Sequence, residues 1–340
     1  MIKTAVVILN WNGVRWLERF LRQTISMTAD NETAVYVVDN GSTDGSVDWI
    51  TTNSVDSGII RLDRNYGFAG GYNLALAQIK ARYYVLLNSD IEVTENWLPP
   101  LVSYMDNNPD VAACQPKIKS YHERGKFEYA GAAGGFIDKY GYTFCRGRIF
   151  NSTEADEGQY DDFTDIFWSS GACMVVRADY WEKCGGFDDA FFAHMEEVDL
   201  CWRFQRAGFR VSYVPVSVVY HVGGGVLPYD SELKVRLNFR NNLYMLYKNL
   251  PDRKLITTIF IRLLLDGFAG ASYLLQGKFR NFKAVAAAHR EFYLNMGKLR
   301  VKRELIKKEG EGGNIKTIMN KSIIILFYLR KKKRFKDLFN

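Results

Sequence analysis

The 340-residue chain is 47% hydrophobic and 24% charged, with 22 Phe, 20 Tyr and 7 Trp, which excludes a disordered chain and supplies a core for one large domain plus an appendage. Its net charge of +7 is unevenly placed: residues 228–340 hold 25 Lys and Arg against 9 Asp and Glu, a net +16, and residues 1–227 hold 20 against 29, a net −9. A basic C-terminal region of this kind suits an anionic membrane surface, and nucleic acid is not expected as a partner.

The first apolar run, Ala5 to Leu9, is too short for a signal core and reaches Asn10-Trp11-Asn12-Gly13 at once, so it reads as a buried parallel strand. Val14, Leu17, Leu21 and Ile25 follow at helical spacing. Residues 34–38 predict a second strand ending at Asp39, residues 59–62 a third, and residues 83–87 a fourth ending at Asn88-Ser89-Asp90. Helices are expected over 71–80, 96–107 and 197–207. This strand–helix rhythm predicts an α/β fold with a mostly parallel central sheet flanked by helices. Polar residues sit at the strand ends, where such sheets bind ligands: Asn10, Asp39, Arg64-Asn65 and Asp90.

From about residue 229 the pattern is helical. The segment 255–276 is apolar but carries Arg262 and Asp266 near its centre, which argues against a spanning helix. The stretch Ile323–Leu329, followed by Arg330-Lys331-Lys332-Lys333-Arg334, suits either interfacial binding to anionic lipid or docking on a core. The domains expected are 1–228, with halves 1–110 and 111–228, and a helical basic region, 229–340. Five cysteines (114, 145, 173, 184 and 201) show neither metal-ligand nor redox spacing, which fits reduced, buried thiols in a cytosolic chain.

Several short motifs carry chemistry. Asp39-Asn40-Gly41-Ser42-Thr43-Asp44 favours tight turns, with Asp39 free to accept from a base or ribose and Asp44 suited to capping the next helix. Arg64 to Gly71, which includes Asn65 and Gly70, follows the third strand and opens a helix whose amides could meet phosphate. It is neither a Walker loop nor a dinucleotide fingerprint. Asp90, after Asn88, is placed to hold a divalent ion that bridges a diphosphate. Glu196, Glu197 and Asp199 cluster at a helix start, which suits the helix dipole and also general-base work. His221, in Tyr220-His221-Val222-Gly223-Gly224-Gly225, is a candidate ligand at a strand end.

Taken in order, VVILNWNG, VVDNGSTDGS, LDRNYGFAGGYN, LLNSD, SSGACMVVRADYWEKCGGFDDAFF, EEVDLCWR and YHVGGG resemble family 2 of the inverting glycosyltransferases, in its rhamnosyltransferase-like and galactofuranosyltransferase-like branch. The resemblance runs from about residue 3 to about residue 250 and implies a GT-A fold, with 1–110 as the nucleotide-sugar-binding half and 111–228 as the acceptor-binding half. It implies that Asp39 contacts the base or ribose, with Arg64 and Asn65 near the base and diphosphate. Asp90 becomes the metal-binding carboxylate of a motif whose first position here is Asn88, and His221 a further ligand of Mg²⁺ or Mn²⁺. Glu197 takes the place of the family's catalytic base, with Glu196 beside it, and Trp168, Ser169, Gly171 and Ala172 shape the donor and acceptor pocket. The implied reaction moves a sugar from a dTDP- or UDP-linked donor, dTDP-rhamnose included, to a glycan or lipid-linked acceptor at the inner face of a bacterial membrane, in the synthesis of cell-surface polysaccharide. The competing readings are a nucleotide-sugar-binding protein without turnover and a nucleotidyltransferase. Against the second, the first loop offers no basic cluster for a triphosphate.

Overall fold

The computed structural model describes residues 2–28, 30–53, 58–223, 231–308 and 315–339. The first half runs β1 (Ile2–Asn10), α1 (Val14–Thr28), β2 (Thr33–Asn40), α2 (Ser46–Asn53), β3 (Gly58–Leu62), α3 (Gly67–Leu76), β4 (Ala81–Asn88), β5 (Ile91–Val93), α4 (Leu98–Asn107) and β6 (Val111–Ser120). Short strands follow: β7 (Gly135–Asp138), β8 (Thr143–Cys145), β9 (Arg148–Ile149), β10 (Ser152–Thr153) and β11 (Thr164–Asp165). Then come β12 (Cys173–Arg177), α5 (Ala178–Lys183), α6 (Glu196–Arg206), β13 (Arg210–His221), α7 (Glu232–Asn249), α8 (Asp252–Leu275), α9 (Phe279–Lys308) and β14 (Ile318–Met319).

The main sheet has the order β11-β13-β6-β12-β4-β1-β2-β3, with β5 paired to β13. Strands β4, β1, β2 and β3 are mutually parallel, whereas β12 runs antiparallel to both β4 and β6. Alternation along each strand splits the core between two faces, because successive side chains point to opposite sides. Ala5 and Val7 join one cluster while Val6 and Ile8 join the other, and Tyr84 and Leu86 part in the same way from Val85 and Leu87. Burial on both faces explains why these strands read as continuous apolar runs.

Register places the polar ends together: Asn10 lies opposite Asp39, and Leu9 opposite Asn88. The helix expected over 71–80 starts four residues earlier, at Gly67. Gly67 has φ +73°, and a Cβ there would come within 2.4 Å of the Phe192 carbonyl oxygen, so glycine turns the chain into the helix where a side chain could not.

A second, five-stranded sheet has the order β10-β9-β8-β7-β14. Its last strand comes from the C-terminal region and pairs Ile318 with Ile137. Beyond it Ile323, Leu326, Phe327 and Leu338 are buried against Phe144 and Ile149, and the Phe335 ring packs at an angle against Phe136 and Phe144 and edge-on to Tyr160. The apolar stretch at 323–329 is therefore partly core; its Ile325, Tyr328 and Leu329 remain exposed. The boundary expected at residue 228, and Gly224 and Gly225, lie outside the described residues. All five cysteines are free and buried.

Candidate active site

A cleft of about 750 Å³ opens beyond the carboxyl ends of the parallel strands, a size suited to a small-molecule ligand. Of the residues singled out from sequence, Asn65, Asn88, Asp90, Trp168, Gly171, Ala172, Glu196, Glu197 and His221 line it, while Asn10, Asp39, Arg64, Gly70 and Ser169 do not.

The loops after β1 and β2 are laced together. Thr43 N–H donates to Asn12 Oδ1 (2.7 Å), Asn12 N–H to Ser42 Oγ (2.9 Å), and Asn10 Nδ2 to the same hydroxyl (3.3 Å). Asp44 accepts from the N–H groups of Val14 (3.0 Å) and Ser46 (3.1 Å), so it caps helix starts. Asp39 Oδ2 accepts from Ser42 N–H at 3.1 Å, while its Oδ1 is buried without a partner. A buried carboxylate oxygen left bare is costly unless a ligand donor meets it.

The loop after β3 is more occupied than its sequence suggests. Asn65 Oδ1 accepts from Gly67 N–H (2.7 Å) and Asn40 Nδ2 (3.2 Å), which makes Asn65 a turn former. The α3 amides of Phe68 and Ala69 already donate to the Phe192 carbonyl, at 2.6 and 3.1 Å. The expectation that this helix start is open to phosphate is corrected by that contact. Gly70 is buried in α3, where a Cβ would meet the Tyr66 Cβ at 3.1 Å. Ser169 is buried under the main sheet, its Oγ 3.4 Å from the Cys114 carbonyl oxygen.

The pairing of β5 with β13 sets His221 opposite Ile91 and so beside Asp90. His221 Nε2 is 3.2 Å from Asp90 Oδ1, and Nδ1 is 3.3 Å from Glu128 Oε2. Burial lowers the imidazole's affinity for a proton, but the charges of Asp90 and Glu128 more than offset it and hold its pKa well above the usual value. Asp90 moves the opposite way: burial alone would raise its pKa, and the charge and hydrogen bond of His221 bring it below the usual carboxylate range. Glu128 sits in an irregular stretch with no strand-end or motif signal, and only the neighbouring of β6 and β13 reveals it.

Across the cleft, α6 begins with Glu196 and Glu197, and each leaves its Oε2 buried and unpartnered. Burial, then the adjacent Glu197 charge, pushes Glu196 well above the usual value; burial raises Glu197 to about 7. The approach to α6 is strained, since Phe192, His194 and Met195 have φ of 63°, 71° and 71°, a region that side chains rarely adopt. Asn241 of α7 holds this segment by donating from Nδ2 to the carbonyls of Phe191 (2.9 Å), Ala193 (2.8 Å) and His194 (2.7 Å). Arg240 adds bonds to Ala190 and Phe191. Replacing Asn241 by Leu is expected to destabilise the protein by about 2–4 kcal/mol and to lower kcat more than nucleotide affinity, as read by melting curves alongside turnover.

Asp199 takes no part in the cleft. Its oxygens accept from Arg203 Nε (3.0 Å), Lys248 Nζ (3.0 Å) and Asn249 Nδ2 (2.8 Å), which fixes α6 to α7. The helices beyond residue 229 supply a wall that the sequence does not announce: Lys234, Asn238, Asn242, Arg262 and Tyr273 line the cleft. His194 lines it as well, and burial with the Lys234 charge lowers its pKa to about 4.

A glycosyl transferase family 2 model matches residues 5–183. The N-acetylglucosaminyl-diphospho-decaprenol L-rhamnosyltransferase of Mycobacterium tuberculosis is 25% identical over 231 residues, covering 64% of this chain and 75% of the relative. The rhamnosyltransferase WbbL of Escherichia coli K12 is 28% identical over 167 residues, covering 46% and 61%. Among solved structures, Staphylococcus aureus TarS 1–349 in complex with UDP-GlcNAc superposes with a TM-score of 0.57 at 14% identity, covering 91% of this chain and 87% of that one. GalNAc-T7 with UDP, GalNAc and Mn²⁺ gives 0.56 at 15% identity, covering 73% and 48%. These likenesses are of fold, and the fold is GT-A.

Proposed function

The chain belongs to glycosyl transferase family 2, in its rhamnosyltransferase-like branch, and from that premise we propose an inverting transfer of a sugar, rhamnose or a UDP-linked hexose, from a nucleoside diphosphate to a lipid-linked glycan. The observation that carries the reading is the pairing, in one cleft, of a buried carboxylate raised to about 7 with an acid–imidazole pair across from it.

Asp39 would receive the base or ribose on its bare Oδ1, with Asn65 and Asn88 along the diphosphate. Asp90 and His221 would hold Mg²⁺ or Mn²⁺. Asp90 and Glu128 favour a proton on the imidazole, so the ion would take the place of that proton between His221 and Asp90. Among the described residues no three His, Cys, Asp or Glu side chains gather as a metal site. When bound, such an ion stabilises negative charge on the departing diphosphate. Glu197 takes the proton of the acceptor hydroxyl, whose oxygen bonds to the anomeric carbon as the bond from that carbon to the diphosphate oxygen breaks. Attack from the far face inverts the centre, and Trp168, Gly171 and Ala172 position the sugar. The setting is the cytoplasmic face of a membrane, with the protein bound peripherally to its anionic surface.

The test is thermal stability with UDP, dTDP and GDP, each with and without Mn²⁺, since a ligand of the native state raises Tm by mass action. A metal-dependent rise with UDP or dTDP, lost in Asp90→Ala, is expected. No rise with any nucleotide in folded protein overturns the reading in favour of a silent binding module.

A further inference from the structure

The helix α8 is built inside out for a soluble protein. Its two central charges, Arg262 and Asp266, are buried. Arg262 Nε pairs with Asp266 Oδ1 at 2.7 Å and its Nη1 with Asn242 Oδ1 at 2.6 Å, and the guanidinium lies 3.8 Å over the Tyr142 ring. The charges that argue against a spanning helix are thus turned toward the protein. On the outer side the exposed residues from Ile256 to Leu275 include no charge at all. Ile256, Phe260, Leu264, Phe268 and Leu275 are 83%, 61%, 51%, 73% and 91% exposed. They recur mostly every fourth residue, which keeps them on one side. The helix is long and apolar enough to cross a membrane by composition, yet only 22% of its most apolar stretch is buried. So large an apolar strip on a polar protein marks an interaction surface.

Charge identifies the occupant. Arg253 and Lys254 are exposed at the start of α8, and Lys278, Arg280 and Lys283 follow its end. Along α9 six exposed basic residues (Arg280, Lys283, Arg290, Lys298, Arg300 and Lys308) face one exposed acid, Glu304. Between them stand exposed Tyr293, Leu294, Val301 and Leu305. An apolar strip flanked by cations suits the boundary of an anionic bilayer. A second copy of this chain would bring like charges together. Arg262 and Tyr273, both on α8, also line the cleft, so the helix with the apolar face is a wall of the active site.

We propose that α8 lies in the plane of an anionic bilayer, with Ile256, Phe260, Leu264, Phe268 and Leu275 at the boundary of headgroups and acyl chains and the α9 cations on the lipid phosphates. Over its roughly 36 Å the helix then seats the cleft against the membrane that holds the acceptor. This rests on the reading of a lipid-linked acceptor and specifies how that acceptor is met.

The experiment is flotation of the full chain with vesicles of phosphatidylglycerol and phosphatidylethanolamine, compared with pure phosphatidylcholine. Wild type is expected to float with the anionic vesicles and to be released by salt. Phe260→Glu/Phe268→Glu is expected to lose at least about tenfold in bound fraction while keeping its Tm and its nucleotide-dependent Tm rise. Lys298→Glu/Arg300→Glu, on α9, is expected to weaken binding to anionic vesicles alone. Equal flotation of the Phe variant and wild type, failure of wild type to bind, or a wild-type dimer abolished by the Phe substitutions overturns the proposal. The nucleotide response in the same samples reports separately whether the proposed activity survives.

Discussion

Glu197→Gln is expected to lower kcat by about 10²–10⁴-fold while leaving the nucleotide-dependent rise in Tm intact. The amide keeps the shape and cannot take a proton. In wild type the carboxyl is raised to about 7 by burial, so activity should climb as pH rises through that value, and the climb should vanish in the variant. A stability signature accompanies it. A carboxyl whose folded pKa is raised binds its proton more tightly when folded, so its destabilising effect is absent below the ordinary value near 4.5 and grows as pH rises toward 7. The Gln variant should therefore melt higher than wild type at pH 8, with the gap closing below pH 4.5. Unchanged turnover in Glu197→Gln would pass the base role to Glu196, whose Oε2 is equally bare.

Asp199→Ala is expected to be the most damaging single change to stability, at about 3–5 kcal/mol. It strips Arg203 and Lys248 of a shared buried counter-charge and leaves Asn249 Nδ2 without its carboxylate partner. Chemical denaturation measures it directly. With Lys248 also replaced by Met the loss should be smaller than the sum of the two single changes, because the two side chains are one interaction. Asp188 ties into the same knot through Lys248 at 2.6 Å. Burial would raise its carboxyl, but the charges of Lys248 and Lys302 hold it well below the usual range. Its contribution is present above the ordinary carboxylate value and is lost only in strong acid.

One edge of the cleft is legible in the sequence because parallel strands impose a simple rule: residues just beyond each apolar run stand at the carboxyl edge of the sheet. Asn88 and Asp90 follow from it and line the cleft, whereas Asn10 and Asp39 reach the same edge without lining it. The antiparallel insertion of β12 between β4 and β6 has no such signature, and a short apolar run reads alike in either direction. Glu128 is hidden because its meeting with His221 depends on a pairing across about a hundred residues. The helix start that follows Arg64-Asn65 misleads in the other direction: the amides of Phe68 and Ala69 look free in the sequence and are taken by the carbonyl of Phe192, which lies far along the chain. Arg240 and Asn241 acquire a role only when α7 is seen to hold the strained turn into α6. Arg262 and Asp266 mislead as well, since composition reports that a helix carries charge but not which way the charge faces.

The pairing of Ile137 with Ile318 has a consequence in time. Strand β7 leaves the ribosome 181 residues before its outer partner β14. At ordinary rates of synthesis that is an interval of roughly 10–40 s, in which the small sheet has one side unpaired and Phe144 and Ile149 lack the segment that covers them. An open strand edge beside bare aromatic surface is a template for other chains. The nascent protein therefore passes through its most vulnerable state after the parallel strands of the main sheet have been made, and a crowded polysome or a shortage of chaperones would be felt there first.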